Sequence, residues 1–138
     1  MKRTAIFPVM KPTILVIDDN PDLRELLQYA LKRGGFSVMT AKGGVEALDT
    51  LNQKETPDLV LVDVDMPGMS GTQFLDAVEK SEKDFFRKCG FAYCTAGDVP
   101  SDSRVVGHLN KFADFSDMLV SVKKLISGSP QNLQASLS

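Results

Sequence analysis

Histidine occurs once in this chain and cysteine twice, which leaves few nitrogen and sulfur donors for a zinc centre. Cys89 and Cys94 flank an apolar segment without further ligand-type companions, and they read as core thiols of a protein kept in a reducing compartment. A basic patch is missing as well. Lys and Arg are scattered, the net charge is -2, and nothing concentrates positive charge for a polyanion, so direct nucleic-acid binding is set aside. No stretch approaches the roughly 20 apolar residues of a membrane span. The start, "MKRTAIFPVMKP", is basic, but its apolar run is broken by Pro8 and no small-residue cleavage site follows. No membrane partner and a soluble, cytoplasmic protein are therefore expected. Repeats and low-complexity tracts are also absent. What is present is 138 residues with 43% hydrophobic and 25% charged content, enough for one domain with a sizeable core.

The pattern along the chain alternates. "TILVI" (13–17) reads as a strand buried on both faces. Asn20 and Pro21 then suit the cap and first turn of a helix carrying Leu23, Leu26, Leu27, Ala30 and Leu31, which Gly34 and Gly35 stop. "FSVMTA" (36–41) is a second strand, followed by a helix over 45–53 with Val45, Leu48 and Leu51 on one face. "DLVLVD" is the third strand, and Ser70 with Gln73 makes a capping box ahead of a helix with Phe74, Leu75 and Val78. "FAYCT" is the fourth strand. "AGDVPSDSRVVG" offers at most a turn or two of helix, "HLN" is a short fifth strand, and "FSDMLVSVKKLI" closes the domain with Phe115, Leu119, Val122 and Ile126 on one side. One domain of such units is expected over 12–127, with an extension at 1–11 and a flexible tail or truncated linker at 128–138. Strands alternating with helices imply a doubly wound α/β fold around a five-stranded parallel sheet, whose functional site forms beyond the carboxyl ends of the strands.

That rule gathers particular residues. Strand one ends in Asp18 and Asp19, strand three in Asp63 with Asp65 just beyond, strand four in Thr95, and Lys111 follows strand five. Carboxylates brought this close repel one another unless a cation joins them, and hard oxygen ligands favour Mg²⁺ or Mn²⁺. Such a site suits phosphoryl transfer. Asp63 is then the candidate nucleophile, attacking phosphorus to give an acyl phosphate, while the Thr95 hydroxyl and the Lys111 ammonium meet phosphoryl oxygens. Each residue also has a plainer role to weigh. Asp18 and Asp19 suit a helix N-terminus, Asp65 a turn before Pro67 and Gly68, Thr95 a strand, and Lys111 a solvated surface; Met66 and Met69 suit core or loop cover.

Taken together, "VIDDN", "LVLVDVDMPGMSG", "CTAG" and "HLNK" resemble the receiver domain of bacterial two-component response regulators, over approximately Pro12 to Ile126. The resemblance implies a flavodoxin-like receiver fold and a phosphorylation switch rather than an enzyme acting on a separate substrate, with self-phosphorylation and autodephosphorylation only. It implies that Asp18, Asp19, Asp63 and the backbone carbonyl of Asp65 hold Mg²⁺, and that a histidine kinase or histidine phosphotransfer protein supplies the phosphoryl group to Asp63. It also implies that Thr95 and His108, at the switch position of strand five, move inward together upon phosphorylation, and that output passes to a downstream protein or domain.

Three departures set further expectations. Lys111 precedes Phe112 where the family usually has proline, so that peptide bond is expected to be trans. His108 is smaller than the usual aromatic and titratable. Only 12 residues, Ala96 to Gly107, separate Thr95 from His108, which predicts a fourth helix that is shortened, irregular or missing and speaks against the family's usual dimer through the fourth helix, fifth strand and fifth helix. Two rivals stand beside this assignment. Asp63 and Asp65 in "DVDM" fit the D-x-D motif of haloacid-dehalogenase-like phosphatases, although the acid pair then comes on the wrong side of it. A phosphorylation-independent receiver-like interaction module would keep the fold and lose the chemistry. With no output domain after Ile126, a stand-alone receiver and a fragment ending in its linker are both expected forms.

Overall fold

Ile14 to Ile17 and Leu59 to Val62 are unbroken apolar runs, and no residue in them is more than 1% exposed. Strands buried on both faces read this way, because helices cover the sheet above and below. In the computed structural model, which describes residues 11–53, 55–82 and 84–132, these runs form β1 (Thr13–Ile17) and β3 (Leu59–Asp63). With β2 (Ser37–Ala41), β4 (Gly90–Thr95) and β5 (Gly107–Asn110) they make a five-stranded parallel sheet in the order β2-β1-β3-β4-β5. The expected doubly wound sheet is therefore present. The chain first moves outward from β1 to β2 and then returns to place β3 on the other side of β1, which puts the switch of direction between β1 and β3.

Side chains alternate across the strands and sort into two cores. Ile14, Val16, Leu59, Leu61, Ala92 and Cys94 pack under α1 (Pro21–Arg33) and α5 (Phe115–Ser127). Leu15, Ile17, Val60, Val62, Phe91 and Tyr93 pack under α2 (Gly44–Gln53) and α3 (Gly71–Glu82). A single turn, α4 (Phe85–Lys88), precedes β4 and buries Phe85 in the second core. The two cysteines belong to these interiors, and burial pushes each thiol up to about 12. Neither is expected to react with a thiol reagent at pH 8 in the native protein, whereas both should react after unfolding; counting thiols before and after denaturant checks this.

Local signals act where expected. Asn20 caps α1 by accepting from the backbone N–H groups of Asp22 (3.0 Å) and Leu23 (3.2 Å), and Ser70 and Gln73 form the reciprocal capping box at α3. The helix faces are rotated from expectation. In α2 the buried stripe is Gly44, Ala47 and Leu51 with Val45 67% exposed, and in α5 it is Met118, Val122 and Leu125 with Phe115 exposed. Leu26 of α1 is likewise exposed.

The β4–β5 crossover carries the irregularity expected of it: residues 96–106 hold turns and extended chain and no helix, so the fourth helix is missing here. Val99 and Val105 pack against the α3-side core instead. Arg104 completes the cover: Nε and Nη2 grip the two carboxylate oxygens of Asp102 at 2.9 and 2.8 Å. Its Nη1 reaches Asp76 (2.8 Å) and Glu79 (3.1 Å) on α3. Asp102 in turn accepts from the hydroxyl of buried Tyr93 at 3.1 Å. Past α5, residues 128–132, expected to begin the tail, pack on the molecule: Ser129 is buried, and the Gln131 amide donates to the Asp58 carbonyl at 3.0 Å. Residues 1–10 of the expected extension and 133–138 of the tail lie outside the described residues. No helix among the described residues is long and apolar enough to cross a membrane.

Candidate functional site

The register explains why two aspartates meet. Ile17 pairs with Val62 across β1 and β3, so the next residues, Asp18 and Asp63, emerge side by side at the carboxyl edge of the sheet. Asp19 follows directly, and carboxylate oxygens of Asp18, Asp19 and Asp63 all lie within 4.8 Å of one another. Asp18 and Asp63 are buried and Asp19 is exposed. The helix after β3 starts unusually close: a Cβ on Gly71 would stand 2.6 Å from the Asp63 carbonyl oxygen and 3.1 Å from Tyr93, so only glycine fits there. Gly68, in the loop between, takes a φ of +81°, which other residues rarely adopt.

Lys111, just past β5, is swung over this edge by the β4–β5 pairing, its backbone N–H donating to the Thr95 carbonyl at 3.1 Å. Its ammonium lies 3.0 Å from Asp63 Oδ1 and 3.3 Å from Asp18 Oδ2. The Lys111–Phe112 peptide is trans, since there are no cis bonds among the described residues, and the reach to the acids needs none. Burial works against the charge on Lys111, but the ion pairs with Asp63 and Asp18 outweigh it and hold its pKa above the ordinary value. For Asp63 the balance runs the other way. Burial raises its pKa, Lys111 opposes that, the Asp18 charge adds to it, and the net is a carboxyl above its usual range.

Both values are raised, so the site holds a proton on Lys111 and resists the loss of one from Asp63, as an acidic site short of positive charge does. Asp18 shows the shortage most directly, because its Oδ2 is buried and makes no hydrogen bond; the Lys111 contact is an ion pair without hydrogen-bond geometry. Its Oδ1, by contrast, accepts from the Asn20 N–H at 2.9 Å. A buried carboxylate oxygen left without a donor, beside two further carboxylates, fits a hard divalent cation.

A recess of about 450 Å³ opens beside this group, lined by Asp63, Asp65, Thr95, Ala96, Gly97, Asp98 and Lys111 among others. Thr95 is 8% exposed, and its hydroxyl oxygen accepts from the Gly97 N–H at 3.1 Å. Asp65 is exposed, and its N–H donates to Asp63 Oδ1 at 3.3 Å. Of the residues singled out from sequence, Asp18, Asp19, Asp63 and Lys111 form one contact group, and Asp65 and Thr95 line the adjoining recess. His108 stands apart: it is exposed on the edge strand β5, opposite Tyr93, and does not line the recess. Sequence reasoning missed Arg24, whose guanidinium donates to the Asp18 carbonyl at 2.6 Å, and the Arg104, Asp102 and Tyr93 group. A cation in the first turn of a helix was the available signal for the former.

A parallel sheet of this order, with an acidic group at the switch between β1 and β3 and a lysine held over it, defines a phosphorelay-type receiver. The chain belongs to the response regulator receiver domain family, whose model matches residues 14–100. It is 32% identical over 121 residues to sporulation initiation phosphotransferase F of Bacillus subtilis, with 86% of this chain and 96% of that protein covered. Among solved structures, the response regulator TrrA of Thermotoga maritima, in complex with Mg²⁺-BeF, is 35% identical with a TM-score of 0.71, covering 84% of this chain and 99% of that one. Chemotaxis protein CheY4 of Vibrio cholerae shares the fold with a TM-score of 0.74 at 24% identity, over 84% and 99% of the two chains. The D-x-D phosphatase alternative falls away with this family. The matched stretch ends at residue 100, inside the crossover that lacks a helix.

Proposed function

We propose that Asp63 is the phosphoacceptor of a two-component or phosphorelay pathway, charged by the phosphohistidine of a histidine kinase or phosphotransfer protein. The observation that carries this is the Lys111 ammonium 3.0 Å from Asp63, within the same contact group as Asp18 and Asp19. A carboxylate oxygen of Asp63 attacks phosphorus, the bond from phosphorus to the histidine nitrogen breaks, and an acyl phosphate remains. Lys111 moves from its carboxylate partners toward a phosphoryl oxygen, and Thr95 exchanges its Gly97 contact for another, so positive charge and a donor meet the charge that develops. Water later attacks phosphorus and returns the carboxylate. Asp18, Asp19 and Asp63, with the Asp65 carbonyl, are the groups that would hold Mg²⁺. When bound, that ion neutralises the acids and draws phosphoryl oxygens into line. Mn²⁺ meets the same ligand requirements.

The test is intact-mass spectrometry after incubation with acetyl phosphate, with and without Mg²⁺. One added phosphoryl group that needs Mg²⁺ and Asp63 is expected. Absence of an adduct, together with failure to bind beryllofluoride, would favour a phosphorylation-independent interaction module.

A further inference from the structure

Asp18 is held through its N–H, its Oδ1 and its carbonyl, and one of these restraints comes from an unexpected residue. Its N–H donates to the Ala41 carbonyl at 3.2 Å, extending the β1–β2 ladder, and its Oδ1 is fixed by Asn20. The carbonyl is held by Arg24, whose Nη1 donates to it at 2.6 Å, a short charge-assisted bond. That carbonyl belongs to the peptide joining Asp18 to Asp19. Fixing the peptide plane fixes the N–Cα bond of Asp19, the axis about which its side chain turns, and so narrows where the exposed Asp19 carboxylate can stand relative to Asp18 and Asp63.

Arg24 is badly placed for helix stability. It sits in the first turn of α1, where its N–H makes the opening helical bond to the Asn20 carbonyl, and a cation there opposes the helix dipole. A surface arginine reaching into solvent would carry the same penalty without any compensation. Instead its side chain is partly buried and folded back onto the Asp18 carbonyl. Local rules broken in this way are expected near functional sites.

We infer that Arg24 is a positioning residue: by clamping the Asp18–Asp19 peptide it preorganises the acid pair to receive a divalent cation. The inference rests on the phosphoacceptor function proposed above, yet it can fail separately.

Calorimetric titration with Mg²⁺ alone on wild type, Arg24→Lys and Arg24→Met provides the test, with acetyl phosphate labelling run beside it. Arg24→Met is expected to weaken Mg²⁺ binding about tenfold, and Arg24→Lys, which keeps a donor of shorter reach, should fall between. In labelling, the Mg²⁺ concentration for half-maximal uptake should rise by the same factor while the plateau at saturating Mg²⁺ is kept. Unchanged Mg²⁺ affinity in Arg24→Met, with the fold confirmed by circular dichroism, would overturn the inference. Loss of the labelling plateau at every Mg²⁺ concentration would overturn it too, since a positioning residue is rescued by excess ligand. If wild type binds Mg²⁺ but takes no phosphoryl group, the phosphoacceptor function fails and the affinity comparison still decides the role of Arg24.

Discussion

Replacing Asp63 by asparagine is expected to abolish phosphoryl uptake while leaving the metal-free protein as stable as wild type or more so. The first half follows from chemistry, because an amide oxygen is a poor nucleophile and cannot form the acyl phosphate. The second half follows from the site's electrostatics. Burial and the neighbouring Asp18 charge raise the Asp63 pKa despite Lys111, so the folded protein holds this carboxylate at a net cost. Asparagine keeps the shape and removes the charge, which should raise the stability of the metal-free protein. The sign can be checked against pH. A carboxyl whose pKa is raised on folding binds its proton more tightly in the native state, so its contribution is present at low pH and is lost as pH rises from the ordinary 3.8 through the folded value. Thermal denaturation of wild type and Asp63→Asn, in chelator and across that window, should converge toward acid and separate toward neutral pH in favour of the mutant. A mutant clearly less stable at neutral pH would show that the Lys111 pair dominates the balance instead.

A site that costs stability also explains why so much of it was legible. Aspartates at the ends of apolar strands break the pattern of a buried core, and Asp18 and Asp63 are conspicuous for that reason. The sheet was equally readable, since β1 and β3 are apolar without alternation and Asn20, Pro21, Ser70 and Gln73 mark where helices begin. Helix faces were harder. Val45, Leu26 and Phe115 fit a helical apolar period yet stand exposed, because Gly44, Ala47, Leu27 and Met118 are what the helix positions bring against the sheet. Period alone cannot distinguish two adjacent stripes when both carry apolar residues. The turn α4 was missed for its brevity: four residues carry no period, and only the burial of Phe85 gives it a role. Arg24 and Arg104 were hidden for another reason. A charged residue in a helix or loop reads as solvent-facing until the partner it folds back upon is known, and those partners, the Asp18 carbonyl and the Asp76 and Glu79 carboxylates, come from chain distances or conformations that spacing does not reveal.

The crossover without a helix gives the second large expected effect, which is on stability rather than chemistry. Arg104→Met should cost about 2 kcal/mol, most of it through Asp102. Asp76 and Glu79 are each 58% exposed, so their ion pairs with Arg104 are worth little. The Asp102 side chain is only 8% exposed, is gripped at both oxygens, and receives the buried Tyr93 hydroxyl, so losing Arg104 strands a carboxylate against the core. The bonds from Arg104 hold the Asp102 carboxyl well down, at about 2 against an ordinary 3.8. A carboxyl with a depressed folded pKa stabilises the native state above its unfolded value, and that stability is lost as pH falls from 3.8 toward about 2. Wild type should therefore weaken across that window, and Arg104→Met should weaken less, because its Asp102 no longer differs as much from the unfolded chain. Near neutral pH the melting temperature should drop by roughly 5–10 °C, with hydrogen exchange accelerating first in residues 96–106. Labelling of Asp63 should survive, because Asp18, Asp19 and Lys111 are placed by β1 and β5 and not by this strap. If exchange in 96–106 stayed slow in the mutant, the packing of Val99 and Val105 would be holding the crossover, and the polar grip on Asp102 would be ornament to an apolar seal.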